Sequence, residues 1–320
     1  MATSLPNISS MSIVSHQGNV SPSASPMQVQ AAELSSGAVH NTSLPGPSKS
    51  PDPATMLPAA NFSAATGRYT WDNGDIYEGQ FLNGLMHGEG VYLYAKTGNK
   101  YQGQWFKGKK HGQGIFWNQK RREVYEGSWK DGARCGYGTM TNEKEGWQYM
   151  GKFYDNHQHG HGIMVDSDGR YDGNWSHGRR HGPGRSTYAD GSAYEGIWVS
   201  DRFHGRGTFT CPSYIFTGDW VGGEMHGQGE CRMANGTVYI GQYVRGIREG
   251  EGEERIPDGS RYKGLFSQNL RNGEGTFMYP AGDTCFGCWK NNKLEGAGVY
   301  THADGRTAMV MYQDGQCIKI

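Results

Sequence analysis

Tyr101-Gln-Gly-Gln-Trp-Phe-Lys-Gly-Lys-Lys-His-Gly-Gln-Gly114 is the stretch that decides the fold. From Gly103 to Lys109 it spells Gly-x-x-x-x-Gly-Lys, the start of a nucleotide-binding phosphate loop. Such a loop needs Ser or Thr after the lysine to hold magnesium, a strand before it and a helix after it. Lys110 stands in the Ser/Thr place and no helical pattern follows. The glycines therefore need another explanation, and the rest of the chain supplies one.

From Gly67 onward the sequence repeats. An aromatic-x-Gly-x-aromatic element begins at Tyr77, Tyr101, Tyr125, Tyr149 and Tyr171, and again at Tyr194, Phe216, Tyr239, Tyr262 and Cys285. The steps are 22 to 24 residues. Counting each start as position 0, Gly stands at +2 and an aromatic ring at +4, as in Tyr101, Gly103 and Trp105. His-Gly-x-Gly or a variant begins at +10, as in His111, Gly112 and Gly114. Positions 0, +2 and +4 share one face of a strand, with polar residues between them. Position +7 is always Gly, Asn or Asp, the residues that tolerate the positive φ of a tight hairpin turn. Each unit thus reads as one β-hairpin, with glycines that let large rings lie over neighbouring backbone. A lone hairpin is marginal in water, so the units must stack. The expectation is an all-β, elongated, twisted, single-layer array of about ten hairpins, with residues 67–76 as an N-terminal half-repeat cap. Residues 77–306 hold the ten repeats. Residues 307–320 read as a degenerate C-terminal cap that has lost the glycine and both rings.

Composition agrees. The chain has 320 residues, 51 of them Gly, against an average usage of about 7%. Only Gly18, Gly37 and Gly46 fall in the first 66 residues. That segment holds 14 Ser, eight of the 12 Pro, no Tyr or Trp, and three charges (Glu33, Lys49, Asp52). Too apolar-poor to offset its ordering entropy, it reads as a disordered tail. Ser21-Pro22, Ser25-Pro26 and Ser50-Pro51 fit proline-directed phosphorylation. No signal-peptide core and no membrane-length apolar run is present, so the reading is a cytoplasmic protein with reduced thiols at Cys135, Cys211, Cys231, Cys285, Cys288 and Cys317.

Tyr101-x-Gly103-x-Trp105 followed by His111-Gly112-x-Gly114 resembles the MORN (membrane occupation and recognition nexus) repeat family, and most other units match nearly as well. The unit at Cys285 departs most, with Glu295 in the histidine place. The resemblance implies a stacked array of hairpins. It implies roles seen across that family: ciliary radial-spoke and other axonemal proteins, cytoskeletal scaffolds, membrane junctions, and regions beside phosphoinositide kinase domains.

Catalysis is not expected, since no stretch outside the repeats is long enough for a catalytic domain, and no cofactor is expected. Histidines at +10 (His87, His111, His159, His181, His204, His226) would stand two strand spacings apart, about 9–10 Å. One zinc ion, about 2 Å from each ligand, does not bridge that gap. The column is therefore expected to cap turns or pack on rings. His157, His159 and His161 form a weak local metal candidate, and Cys285-x-x-Cys288 lacks a second pair.

Formal net charge is zero. Residues 77–193 carry 16 Lys/Arg against 12 Asp/Glu, and residues 194–320 carry 13 against 15. Basic residues Lys107, Lys109, Lys110, Lys120, Arg121, Arg122, Arg179 and Arg180 are the candidate patch for an anionic phospholipid or a partner. Glu249, Glu251, Glu253 and Glu254 form an acidic cluster, and the uneven ends suit self-association. Nucleic acid is not expected, because the domain is not basic overall and its rings occupy the regular inward positions. The reading is a non-enzymatic scaffold for a protein partner, an extended peptide or helix, in a cytoskeletal or axonemal assembly. The alternative is a peripheral membrane tether acting through the basic repeats.

Overall fold

The computed structural model describes residues 65–319. Most of the expected disordered tail lies outside those residues; Ala65 and Thr66, assigned to it from sequence, already belong to the first strand. The described chain forms two compact units, residues 65–201 and 202–319. Among the described residues all regular structure is β.

The first unit holds β1 (Ala65–Thr70), β2 (Ile76–Leu82), β3 (Leu85–Leu93), β4 (Lys100–Phe106), β5 (Lys109–Asn118) and β6 (Glu123–Lys130). It continues with β7 (Ala133–Asn142), β8 (Trp147–Tyr154), β9 (His157–Asp166), β10 (Gly169–Ser176), β11 (Arg179–Tyr188) and β12 (Ala193–Val199). The second unit holds β13 (Arg202–Thr210), β14 (Tyr214–Val221), β15 (Glu224–Met233), β16 (Val238–Val244), β17 (Ile247–Arg255) and β18 (Arg261–Ser267). It ends with β19 (Leu270–Met278), β20 (Thr284–Lys290), β21 (Lys293–Thr301), β22 (Thr307–Gln313) and β23 (Gln316–Lys319). Within each unit every strand pairs antiparallel with its sequence neighbours, so each unit is a meander.

The turn inside each repeat is tighter than position +7 alone suggested. Lys107 and Gly108 have φ of 48° and 78°, and Asp155 and Asn156 have 43° and 68°. Two successive positive φ values mark a type I′ turn, whose twist matches that of the flanking strands. His-Gly-x-Gly is a β-bulge: Gly114 faces Gly103 and Lys110 faces Trp105, leaving His111, Gly112 and Gln113 opposite Gln104 alone. Gly112 takes φ of 61°, the left-handed position such a bulge requires. The bulged amide of Gln113 is satisfied by the Gln104 side chain at 3.0 Å, and Glu89 and Gln80 repeat the arrangement.

The ends differ from expectation in one respect. β1 stands as a second strand, with Gly67 facing Gly79 just as Gly90 faces Gly103. At the other end the rings are not both lost. Val310 faces Gly298 in the +2 place and Tyr312 faces Gly296 in the +4 place, where it is 5% exposed. Valine fits because Ala308 stands where the ring of its own repeat would otherwise cover this site, as Tyr101 covers Gly103.

Candidate functional site

One face of each unit is closed by a ladder of rings. Tyr101 lies across Gly103 and Gly114; a Cβ on Gly114 would collide with the Tyr101 ring and hydroxyl. That hydroxyl donates to the Gln104 carbonyl at 2.9 Å, and Tyr77, Tyr125, Tyr149 and Tyr171 make the same bond three residues on. Trp105 donates Nε1 to the Gly90 carbonyl at 3.3 Å, and Trp129 to Gly114 at 3.1 Å. Tyr101 meets Trp105 edge-to-face at 5.1 Å and Trp129 at 5.3 Å. Each tyrosine thus bridges the ring of its own repeat to that of the next. Such pairs contribute about 0.5–1.5 kcal/mol beyond area burial. A sheet with no second layer can bury Tyr77, Tyr101 and Tyr149 completely because the rings lie along it.

A second rule couples neighbouring repeats. The +7 turn amide donates to the +9 carbonyl of the preceding repeat, as from Gly132 to Lys110 and from Asn156 to Arg134. Where +7 is Asn or Asp, the preceding +9 residue is Arg. Arg134 donates its backbone amide to the Asn156 side chain at 3.0 Å and its guanidinium to the Asn156 carbonyl at 2.7 Å, and stacks over Tyr125 and Phe153. Arg180 with Asp201, Arg248 with Asn269, and Arg271 with Asn292 repeat the amide bond. The pairing was visible in the sequence as a correlation between +9 of one repeat and +7 of the next, but only a register linking the two makes it meaningful.

This geometry separates the basic residues. Lys107 and Lys109 are exposed at the β4–β5 turn. Lys120, Arg121 and Arg122 lie in the loop at the far end of β5, whose ten residues span roughly 30 Å. Arg121 faces Glu123 at 3.9 Å. Arg179 is exposed at the β10–β11 turn. Arg180 turns to the ring face, bonded to Asp201 at 3.2 Å and 4.3 Å over Trp198. Lys110 also turns to the ring face, its Nζ 4.2 Å from the Phe116 centroid and 4.9 Å from that of Trp129. Burial, with repulsion from Arg134, pulls its pKa down to about 7. Strand alternation explains the split, because adjacent residues on β5 face opposite ways. The candidate residues do not form one patch.

Glu249, Glu253 and Glu254 of the acidic cluster are likewise paired internally. Glu254 on the ring face bonds Arg271 at 2.6 Å and Arg248 at 2.9 Å. Its burial would raise the carboxyl's pKa, but the two guanidiniums outweigh that and hold it below the ordinary range. Glu253 pairs with Arg255 at 2.8 Å. Glu249 at +10 accepts from the Gln268 amide at 3.0 Å, and Glu295 from the Asp314 amide at 3.0 Å. These carboxylates cap the next repeat's turn. Three of the histidines at +10 pack on rings instead: His87 and His111 flank Phe106 at 5.3 and 5.4 Å, and His159 meets Tyr154 at 5.6 Å. Of the local metal candidate, His161 contacts Asp172 at 3.1 Å, and no metal-holding group of three appears among the described residues. Cys285 is buried and Cys288 exposed, on opposite faces of β20.

The outer face carries what sequence reasoning missed. Tyr137 is 66% exposed, Tyr154 62% and Met150 39%. Tyr137 pairs with Lys152, which separates Met150 from Tyr154 on β8. Diagonal neighbours of this kind sit about 7–8 Å apart, so the three surround Lys152, whose Nζ lies 5.3 Å over the Tyr137 ring, as one patch. Tyr137 was detectable as an aromatic at +12, where other repeats place residues such as Glu89, Gln113 and Arg206.

A meander of antiparallel hairpins with one face closed by a ladder of its own rings defines a repeat module. The family model described as MORN repeat matches ten segments, beginning with 77–98, 101–119 and 125–144 and ending with 285–305. The chain belongs to the MORN repeat family. Repeats of this family are non-catalytic modules, typically for protein or membrane interaction. No curated protein sequence matches the chain. Among solved structures, the TCP10 domain of Danio rerio CPAP with a peptide of STIL is similar at 10% identity and a TM-score of 0.29, over 83% of this chain and 97% of that one. The Drosophila melanogaster SAS-4 TCP domain with a proline-rich motif of Ana2 is similar at 11% identity and a TM-score of 0.20, over 80% and 99%. Likeness at these scores defines neither a shared topology nor a shared partner.

Proposed function

We propose that this protein is a non-enzymatic scaffold that holds a protein partner within a cytoskeletal or ciliary assembly. The observation that supports this reading is the patch of Tyr137, Met150 and Tyr154. Tyr137 and Tyr154 stay mostly exposed on a sheet whose other face is already closed, and exposed apolar surface marks interaction sites. Tyrosine also suits such a surface, since it offers large contact area with two rotatable bonds. The cytoskeletal setting comes from the family's range of roles. The test is proximity labelling and co-purification with tagged wild type and with Tyr137→Ser/Tyr154→Ser. Both substitutions lie on the exposed face and leave the ring ladder intact. We expect the variant to fold as wild type does, to lose its partners, and to leave the detergent-insoluble cytoskeletal or ciliary fraction. An unchanged partner set removes the patch, and absence of wild type from those fractions removes the assembly.

A further inference from the structure

Lys110 departs from the pairing rule. Where the following repeat has glycine at +7, the other +9 residues are uncharged: Met86, Gln158, Phe203, Met225 and Leu294. Lys110 alone places a charge there, against Gly132, with no Asn or Asp to hold it. Its Nζ lies 4.2 Å from the ring centroid of Phe116, 4.9 Å from Trp129, 5.2 Å from Tyr101 and 5.4 Å from Tyr94. Its ammonium makes no hydrogen bond or ion pair among the described residues. Tyr94, Phe116 and Lys110 itself are only half-buried, so the box of rings has an open side. A methionine, as at Met86 and Met225, would fill the same space without desolvating a charge.

We propose that Tyr94, Tyr101, Phe116 and Trp129 form an aromatic cage for a methylated ammonium group, such as a trimethyllysine side chain on a protein partner, and that Lys110 is the internal occupant which the partner displaces. Ring faces attract a desolvated cation, and recognition of quaternary ammonium by several rings is the most favourable use of that attraction. Lys110 is a poor occupant. Its ammonium keeps three N–H donors that the rings leave unpaired, each costly to desolvate. A trimethylammonium has no such donors and a more diffuse charge. The long stem can then carry the ammonium out of the box to water. The cage lies on the face opposite Tyr137 and Tyr154, so either site can fail without the other.

The test uses the full chain, titrated with tetramethylammonium chloride against sodium chloride at constant ionic strength and followed by tryptophan fluorescence and NMR. Lys110→Ser empties the cage, and we expect it to bind at least about ten-fold tighter than wild type, the equivalent of roughly 1.4 kcal/mol. Lys110→Met, which fills the cage, and Phe116→Leu in the Lys110→Ser background should both lose binding. Wild type should bind a trimethyllysine peptide in preference to its unmodified counterpart. Equal binding by Lys110→Ser and wild type, or by Lys110→Met and Lys110→Ser, overturns the cage. If Lys110→Ser melts early, equal binding of the two peptides by wild type overturns it instead. Preference for phosphatidylcholine vesicles over the peptide overturns the assignment to a protein partner.

Discussion

Replacing Lys110 by methionine should stabilise the protein at neutral and acid pH and lose that advantage in alkali. The lysine's pKa falls from an ordinary 10.5 to about 7. At 1.36 kcal/mol per pH unit this corresponds to roughly 5 kcal/mol of destabilisation. Two effects reduce it. Four ring faces around Nζ return roughly 0.5–1 kcal/mol each, and the residue is only half-buried, so water screens part of the charge. A net gain of roughly 1–2 kcal/mol remains for methionine, equivalent to about 3–6 °C in melting temperature. The sign follows from the lowered pKa. Folding favours the neutral amine, so the cost is complete below about pH 7, shrinks as pH rises, and vanishes above 10.5. Thermal melts of both proteins at pH 6, 8 and 10, followed by tryptophan fluorescence, should show curves that differ most at pH 6 and converge upward. A methionine variant less stable than wild type at pH 6, or a difference that widens toward pH 10, refutes the reasoning: the ammonium would then be a net contributor held by its rings.

Removing the Glu254 charge by Glu254→Gln leaves Arg248 and Arg271 facing each other while half-buried, and should cost roughly 3–5 kcal/mol in urea denaturation at pH 7. Because the carboxyl's pKa is held low, its contribution is present above the ordinary glutamate range and is lost as pH falls through the folded value. Wild type and variant should therefore converge in acid. Tyr101→Phe deletes the bond to the Gln104 carbonyl and should cost about 1 kcal/mol; Phe216 already occupies the equivalent place without a hydroxyl. Gly114→Ala drives a methyl into the Tyr101 ring and should cost more than Tyr101→Phe in the same melts. In a double-mutant cycle, Asn156→Gly and Arg134→Met should each destabilise and together cost less than their sum, with a coupling of about 1–3 kcal/mol. Strict additivity would show that the two repeats are not joined through this pair.

The ring face was legible because its constraints are periodic. Tyr101, Gly103, Trp105, Gly112 and Gly114 recur in fixed places since each packs against the same atoms in every repeat, so ten copies reveal one geometry. Lys110 was misread for a local reason. In sequence it adjoins Lys107 and Lys109 and resembles surface charge, yet the pleat that puts Lys109 beside Phe106 on one face puts Lys110 beside Trp105 on the other. Alternation alone could have parted them. The Arg–Asn pairs were harder, because the register that sets Arg134 against Asn156 joins the ninth residue of one hairpin to the turn of the next, and no single repeat contains it.

The outer face is a different case. Nothing in the ladder depends on what stands at Tyr137, Met150 or Tyr154, so their identity is free of the fold and leaves no period to detect. That freedom is also why they inform on function. A position that the fold does not constrain, and that carries an exposed aromatic where sister repeats carry Glu89 or Gln113, departs from the pattern at a solvation cost. The same logic singles out Lys110 on the inner face, where a charge replaces the neutral residue that its glycine partner otherwise accompanies. In a chain of near-identical hairpins, the repeats build the surface, and the residues that break their rule without stabilising it are where recognition is to be sought.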